Sequence, residues 1–251
     1  MTTRAHGVDV SKWNGSFSLP APPPLPVDFV IQRVSYGGMA DEKLEVLHAQ
    51  IQCIALRGAY HYFSSALSWQ SQADIFLRLA GRSGGYHFFA LDLERDFNKR
   101  SAGFASGARQ WIERVGQESG KRVLLYTNPA VYQDWLLPFG GWMEEHPLWV
   151  AQYWWLPSPE KSPGMKSMKR ADWTFYQYTR RGNGRAYGSG SDHIDLNVFN
   201  GTADDLRSWL DVDPQIDKPP VEDQYLDGYR QALSDAGQAV ENLRPGGKSY
   251  V

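Results

Sequence analysis

Residues 86–94 read YHFFALDLE, an apolar run that carries two acids at its end. Short runs of aromatic and branched apolar residues predict strands, and we expect one over 87–93. Asp92 and Glu94 stand two positions apart, so strand alternation places both side chains on one face, with roughly 6.6–6.8 Å of backbone between them. A solvated strand end followed by the charged turn ERDFNKR would show the same pattern, so a catalytic pair and a surface pair both remain open.

Seven other runs of this kind occur in the first 200 residues, with helical patterns between several of them. The eight predicted strands cover residues 7–10, 29–35, 58–63, 87–93, 122–126, 148–152, 173–178 and 194–198. The predicted helices cover residues 41–56, 68–79, 101–120 and 129–137. Gly120 is a good C-terminal cap, and Asn128 with Pro129 is a good helix start. Strands that alternate with helices indicate an α/β fold, an irregular TIM-like (β/α) barrel of parallel strands.

Two further acids fall within predicted strands. Asp9 ends the first predicted strand and Asp195 lies in the last one. The first and last strands of a closed barrel are neighbours, and such barrels carry their active sites at the carboxyl ends of the strands. We therefore expect Asp9, Asp195, Asp92 and Glu94 to meet at one mouth. A protonated carboxyl beside a charged one can cleave a glycosidic bond, the first as proton donor and the second as stabiliser of positive charge.

The composition argues against several other classes of function. The formal net charge is −2 without a broad basic field, so nucleic acid is not expected as a partner. No His or Cys pair has metal-ligand spacing and no glycine loop carries a phosphate-binding Lys, so we expect neither a metal nor a cofactor. Cys53 is the single cysteine, which excludes an intrachain disulfide. The 10 Trp and 13 Tyr suit a well-filled core or a groove in which rings stack on sugars.

Seven motifs resemble, in order, those of glycoside hydrolase family 25, the barrel-type muramidases of phage lysins and bacterial autolysins. They are GVDVSKWNG (7–15), GAYHYF (58–63), FALDLE (89–94), LLYTN (124–128), LWVAQY (148–153), WTFYQYT (173–179) and IDLNVFNG (194–201). The resemblance spans about residues 6–210. It implies an irregular barrel and a lysozyme that hydrolyses bacterial peptidoglycan, cutting the β-1,4 bond between N-acetylmuramic acid and N-acetylglucosamine.

The same resemblance implies a role for each acid. Glu94 would be the general acid, and Asp92 would stabilise the intermediate, either as a nucleophile or by orienting the 2-acetamido group of the substrate, with retention of configuration. Asp9 and Asp195 would hold the acid network and the sugar. The resemblance places Tyr60, His61, Tyr126 and Gln177 at the substrate groove, and for His61 a core histidine bonded within the barrel is the alternative. Trp149 and Tyr178 are expected either to stack on sugars or to pack within the barrel.

One motif departs from the family pattern. The second strand commonly ends in a sequence like KATEG, whereas residues 33–38 here read RVSYGG. Arg33 therefore replaces the Lys, and Tyr36 stands where the Glu would fall. The missing Glu is not one of the four central acids, which are all present, so the predicted activity is kept. The departure instead affects the expected substrate preference and the local hydrogen bonding.

Two other functions remain as alternatives to the muramidase. One is a chitin-type N-acetylhexosaminidase barrel, and the other is a non-catalytic module that binds cell-wall glycan. The segment MTTRAHGVDV lacks the apolar part of a secretory signal, and no apolar run reaches 18 residues. We therefore expect an endolysin of phage type that stays in the host cytoplasm before its release and does not insert into a membrane.

The composition changes after about residue 210. We predict a catalytic barrel over 1–211, a linker over 212–220 and a helical segment over 221–251. Within that segment, residues 221–243 place apolar side chains at heptad spacing. This predicts a helix that either docks on the barrel or joins copies of the chain into a homo-oligomer.

Overall fold

The computed structural model describes residues 4–19, 26–95, 98–170 and 172–212. The chain divides into two units, Met1–Asp217 and Lys218–Val251, and the described residues all belong to the first. The helix predicted over 221–243, and all but the first residue of the predicted linker, lie outside the described residues. Both stay predictions.

The described strands form a single sheet. Their bounds are β1 His6–Val10, β2 Phe29–Tyr36, β3 Met39–Ala40, β4 Leu56–Tyr62, β5 Phe88–Asp92, β6 Val123–Thr127, β7 Leu148–Ala151, β8 Phe175–Asn183 and β9 His193–Phe199. The order β1-β9-β8-β7-β6-β5-β4-β2, with β1 also paired to β2, closes eight strands into a barrel. The short β3 only extends β2 as a hairpin. The predicted TIM-like barrel is confirmed.

Helices and helical turns connect these strands. The α-helices are α1 Leu44–Gln50, α2 Trp69–Ser83, α3 Ala102–Ser119, α4 Pro129–Val131 and α5 Ala203–Trp209. Short 3₁₀ turns cover Lys12–Asn14, Ile51–Cys53, Leu137–Phe139, Trp142–Glu145, Met165–Met168 and Arg185–Tyr187, and one π-helical turn covers Tyr132–Leu136. The side chain of Asn128 accepts hydrogen bonds from two backbone N–H groups of α4, and Gly120 ends α3 with a φ of 66°. Both predicted caps are confirmed.

One strand runs in the opposite direction to the prediction. β9 is antiparallel to both β8 and β1, whereas the other neighbouring strands of the barrel are parallel. The reason lies in β8, which continues to Asn183 although the predicted strand ended at 178. Only residues 184–192 remain before β9, and a parallel crossover needs a dozen or more residues. The chain therefore returns as a hairpin.

The barrel is closed below its mouth by aromatic side chains. The ring of Phe175 lies 5.0 Å from that of Phe29 and 5.2 Å from that of Phe88, measured between centroids. A Cβ atom on Gly58 would lie 2.5 Å from the Phe88 ring, so only glycine fits beside it. Inward positions recur at every second residue of a strand, so the residues two and four places after this aromatic layer form the upper layers of the barrel interior. The polar inward side chains collect there.

Within the described ranges, no helix combines the length and the apolar character that crossing a membrane requires.

Candidate active site

The four predicted acids meet at the mouth formed by the carboxyl ends of the parallel strands. Asp92 is the last residue of β5, and Glu94 follows two residues later. Asp9 lies near the end of β1 and pairs in register with Asp195 of β9. Since β9 is antiparallel, Asp195 reaches this mouth from the amino end of its strand. We expected Asp195 at the carboxyl end of a parallel strand, so it lies at the mouth but its strand enters from the opposite direction.

Asp9 is the charged centre of a buried hydrogen-bond network. One of its carboxylate oxygens accepts bonds from the side-chain amides of Gln177 and Asn197, each at 2.8 Å. Both amides are buried, and each has its own oxygen occupied by a further donor. Each amide therefore has a fixed orientation, with its NH₂ group directed at Asp9.

Three aromatic side chains provide those further donors. The hydroxyls of Tyr126 and Tyr153 donate to Oε1 of Gln177 at 3.0 and 2.6 Å. The indole N–H of Trp149 donates to Oδ1 of Asn197 at 2.9 Å. A network whose members are all satisfied is rigid, so it holds the Asp9 carboxylate in one position.

Asp9 and Asp195 share a proton unequally. Burial raises the pKa of both carboxyls, but the amide donors of Asn197 and Gln177 oppose that rise at Asp9. At Asp195, burial and then the charge of Asp9 raise the pKa to about 9. At neutral pH Asp195 is therefore protonated and donates to a charged Asp9.

Hydrogen bonds to backbone carbonyls hold Asp92 at the end of β5 and Glu94 just beyond it. The Asp92 carbonyl accepts from the N–H of Phe63 at 3.0 Å, and the Glu94 carbonyl accepts from the Asn98 amide at 2.9 Å. Between them, Thr127 donates its hydroxyl to the carbonyl of residue 93 at 2.8 Å. The Asp92 side chain is buried, while that of Glu94 is half-exposed. Glu94 is therefore the member of the pair more accessible from outside.

Arg33 brings a positive charge to this mouth. Its Nε lies 2.6 Å from Oδ2 of Asp41, and both side chains are buried. The guanidinium interacts electrostatically with Asp92, and its charge opposes the burial that raises the pKa of Asp9. Its Nη2 atom is buried and has no hydrogen-bond acceptor among the described residues. Tyr36 instead donates to Glu42 at the exposed rim, at 3.3 Å.

His61 does not face the mouth, so its prediction as a substrate-binding residue is wrong. The side chain is fully buried on the outer face of the barrel. Its ring nitrogens pair with Ser35 at 2.8 Å and Gln72 at 3.1 Å, and the ring stacks on Trp111 at 5.3 Å. Burial lowers its pKa to about 4. Since Tyr60 points inward, alternation turns His61 outward.

Two more predicted substrate contacts are packing residues. Tyr178 also lies on the outer face, where its ring packs 6.2 Å from His6 and 6.3 Å from Tyr176. Trp149 points into the barrel but is buried beneath Tyr126, with ring centroids 4.5 Å apart. Neither ring has a face open to a sugar.

The other predicted contacts, Tyr60, Tyr126 and Gln177, do lie at the mouth. Burial raises the pKa of both phenols well above the ordinary value, and the charge of Asp92 raises each further. These hydroxyls are therefore neutral donors at the floor of the mouth. Their contact with substrate stays a prediction.

Sequence reasoning missed Arg33, Tyr153 and Asn197 as members of the site. Asn197 could have been predicted, because it lies two residues after Asp195 on the same face of β9. Arg33 could have been predicted in the same way, because it follows the inward Phe29 and Ile31 at the same spacing. Tyr153 follows the end of β7, where no strand pattern fixes a direction, so no signal in the sequence located it.

Within the described ranges, no group of three or more His, Cys, Asp or Glu side chains is arranged to hold a metal ion. What the mouth does offer is a half-exposed carboxyl beside a buried one, a neutral acid paired with a charged one, and one arginine. Such a set can donate a proton and stabilise positive charge.

Comparison with known proteins agrees with this geometry. YegX of Escherichia coli (strain K12) is 32% identical over 156 residues, which are 62% of this chain and 52% of YegX. Lysozyme M1 of Streptomyces globisporus is 27% identical over 217 residues, 80% of this chain and 70% of that protein. The catalytic domain of endolysin ply40, from bacteriophage P40 of Listeria monocytogenes, shares the fold with a TM-score of 0.64, 23% identity and coverage of 83% and 97%.

The chain spans about half the length of YegX. The family model described as glycosyl hydrolases family 25 matches residues 8–186, which is most of the chain and runs from within β1 to beyond β8, with Asp9, Asp92 and Glu94. The chain therefore belongs to glycosyl hydrolase family 25.

Proposed function

We propose that this chain is a lysozyme, an N-acetylmuramidase that hydrolyses the β-1,4 bond between N-acetylmuramic acid and N-acetylglucosamine in bacterial peptidoglycan. The observation that carries the proposal is the half-exposed Glu94 beside the buried Asp92, at the mouth where Asp195 donates to Asp9. Membership of family 25 and the likeness to Lysozyme M1 support the same substrate. A chitin-type enzyme and a non-catalytic module are not favoured.

In the first step, Glu94 protonates the glycosidic oxygen as the bond to C1 breaks. Two like charges at close range resist joint ionisation, so one of the two acids holds a proton while the other is charged. Glu94 takes the donor role because it is the more exposed of the two. Asp92 keeps its charge near Arg33 and stabilises the positive charge that develops at the sugar.

In the same step, the 2-acetamido oxygen of the substrate attacks C1 from the opposite side as the glycosidic oxygen leaves, which forms a cyclic intermediate. Asp92 accepts a hydrogen bond from the N–H of the acetamido group and orients it. In the second step, water attacks C1 from the side of the departed sugar, the bond between C1 and the acetamido oxygen breaks, and the Glu94 carboxylate takes a proton from the water. Two displacements at C1 return the original configuration, so we expect retention.

Gln177 acts on Asp9 in this scheme. Its NH₂ group donates to Asp9, and its oxygen already accepts from Tyr126 and Tyr153. We therefore assign Gln177 to holding the network, and leave the sugar contacts to Tyr60 and the half-exposed Tyr153.

Replacement of Glu94 by Gln tests the proposal. Purified cell walls should lose turbidity with the wild-type protein and gain new reducing muramic ends, while E94Q should be slower by about 10² to 10⁴-fold because proton donation is lost. Its thermal unfolding should be unchanged. Glu113→Gln on the exposed face of α3 is the matched control and should lyse walls normally. Equal lysis by E94Q and wild type would refute the assignment, and release of chitobiose from chitin without attack on walls would favour the chitin-type alternative.

We also propose an endolysin role, with the enzyme held in the host cytoplasm until it is released onto the wall. The fold shared with the catalytic domain of ply40 supports this proposal.

A further inference from the structure

Several large aromatic side chains around the mouth are left exposed by the fold. Trp155 is 96% exposed and Trp13 is 74% exposed, and both belong to loops that follow carboxyl ends of strands. Trp154 and Tyr153, beside Trp155, are almost half exposed. An exposed indole gains nothing for the fold, and clustered exposed apolar groups mark places where something binds.

The two tryptophan positions lie on opposite sides of the mouth. Trp155 follows β7, and Trp13 follows β1 on its β2 side, because Lys12 lies 5.0 Å from the rings of both Trp13 and Tyr36. Between these positions, one arc of the barrel contains β2, β4, β5 and β6, and the other contains β8, β9 and β1.

The acids fall in those two arcs. Asp92 and Glu94 belong to the β5 arc, and Asp9 and Asp195 belong to the β9 and β1 arc. A line from Trp13 to Trp155 therefore crosses the mouth between the two pairs of acids. A chain bound along that line would have its middle at the catalytic residues and its ends at the two indoles.

The loop that carries Trp155 is attached firmly to the site. Tyr153 donates to Gln177 at 2.6 Å, and Lys161 donates to the carbonyl of residue 156 at 2.6 Å. Gly164 donates its N–H to the side chain of Gln152 at 2.5 Å. These bonds hold the loop on both sides of Trp155, so the exposed ring is presented on a fixed support.

We propose that Trp13 and Trp155 are stacking platforms for sugars of the glycan strand that lie beyond the cleaved bond, one at each end of the groove. This inference rests on the proposed muramidase function. A flat indole matches the C–H face of a pyranose ring, and the repeating polymer provides such faces on both sides of the cut. A glycan strand fits better than a lipid surface, because the charged Asp9 and Asp92 between the two rings would repel anionic headgroups.

The test compares long and short substrates. Trp155→Ala and Trp13→Ala are assayed in the full chain on long peptidoglycan glycan strands and on the shortest muropeptide-derived oligosaccharide that the wild type cleaves. We expect KM on long strands to rise about two- to tenfold for each ring, as loss of one stacking contact implies. The values of kcat on long strands and of kcat/KM on the short substrate should not change. Val46→Ala, an exposed apolar residue on α1, is the control and should match wild type on both.

An equal loss of kcat/KM on long and short substrates, or no loss on either, would overturn the proposal that Trp13 and Trp155 stack on sugars. A second measurement keeps the result independent of catalysis. In an E94Q background, sedimentation with insoluble cell walls should capture less of the Trp155→Ala protein than of its parent. If wild type hydrolyses neither peptidoglycan substrate, the proposed function fails. In that case the difference in wall binding between E94Q and E94Q with Trp155→Ala still tests whether Trp155 binds the glycan.

Discussion

Replacing Asp195 by Asn should stabilise the protein, and more so as the pH rises. The pKa of Asp195 is raised from 3.8 to about 9, first by burial and then by the charge of Asp9. In the unfolded chain this carboxyl ionises near 3.8, whereas in the folded protein it keeps its proton to about pH 9. The folded state therefore binds more protons between these values, and its stability falls as the pH rises. An Asn side chain donates to Asp9 without this cost.

The size of the effect follows from the same values. From 3.8 to pH 7 there are about 3 pH units, and each is worth about 1.4 kcal/mol, which sets a ceiling of about 4 kcal/mol. The proton is shared with Asp9, whose own burial also opposes ionisation, so the measured gain will be smaller. We expect Asp195→Asn to raise the free energy of unfolding by about 2 kcal/mol at pH 7, with almost no gain near pH 4.

Urea unfolding of both proteins at pH 4, 5.5, 7 and 8.5 measures this difference. Asp192→Asn is the matched control, because Asp192 is an exposed residue that pairs with Arg185 at the surface. Its difference from wild type should not grow with pH. A gain from Asp195→Asn that is the same at every pH would refute the reasoning, and so would a variant less stable than wild type at pH 8.5.

Two other substitutions separate electrostatics from packing. Arg33→Met should shift the acidic limb of the kcat/KM profile to higher pH, because the Arg33 charge favours the ionised forms of Asp92 and Asp9. It should also lower stability by leaving Asp41 buried without its partner, and adding Asp41→Asn should restore stability without restoring the profile; an unshifted profile would contradict this. His61→Ala should lower the free energy of unfolding at pH 7 by about 2–4 kcal/mol with kcat nearly unchanged, because it removes buried contacts outside the mouth. Burial lowers the pKa of His61 from 6.5 to about 4, so the free energy of unfolding of the wild type should fall by up to about 3 kcal/mol as the pH is lowered from 6.5 to 4. A His61→Ala variant that is stable but inactive would contradict the packing role.

The barrel was predictable because long parts of its strands keep a regular alternation. Along β5, the inward Phe88, Ala90 and Asp92 form one face, and the same period identifies Asp9 and Asn197 on their strands. The same alternation predicts that His61 points outward, because it directly follows the inward Tyr60. The motif GAYHYF places Tyr60 and His61 side by side in sequence but on opposite faces of β4, so the resemblance to the family alone does not locate His61.

Other features depend on contacts that no local pattern contains. The exposed segment of β8 after residue 179 extends the strand through its pairing with β9, and Gly182 permits the approach, since a Cβ there would lie 2.6 Å from Leu196. A shift of register between Arg33 and Ser35 in β2 turns Ser35 outward to meet His61. A bulge of this kind reverses the expected face. Strand direction and the partners of buried polar groups therefore required the structure.

In the proposed mechanism the two pairs of acids cannot exchange roles, and the reason is the proton of Asp195. A general acid works best when its pKa lies near the pH at which the enzyme operates. Asp195 holds its proton to about pH 9, so it is a poor donor at neutral pH. Asp9 is occupied by the amides of Gln177 and Asn197, and Asp92 is buried. Among the four carboxyls at the mouth, Glu94 alone is both outside the shared-proton pair and accessible from the groove. Under the proposed function, we therefore assign to Glu94 the proton that breaks the glycosidic bond.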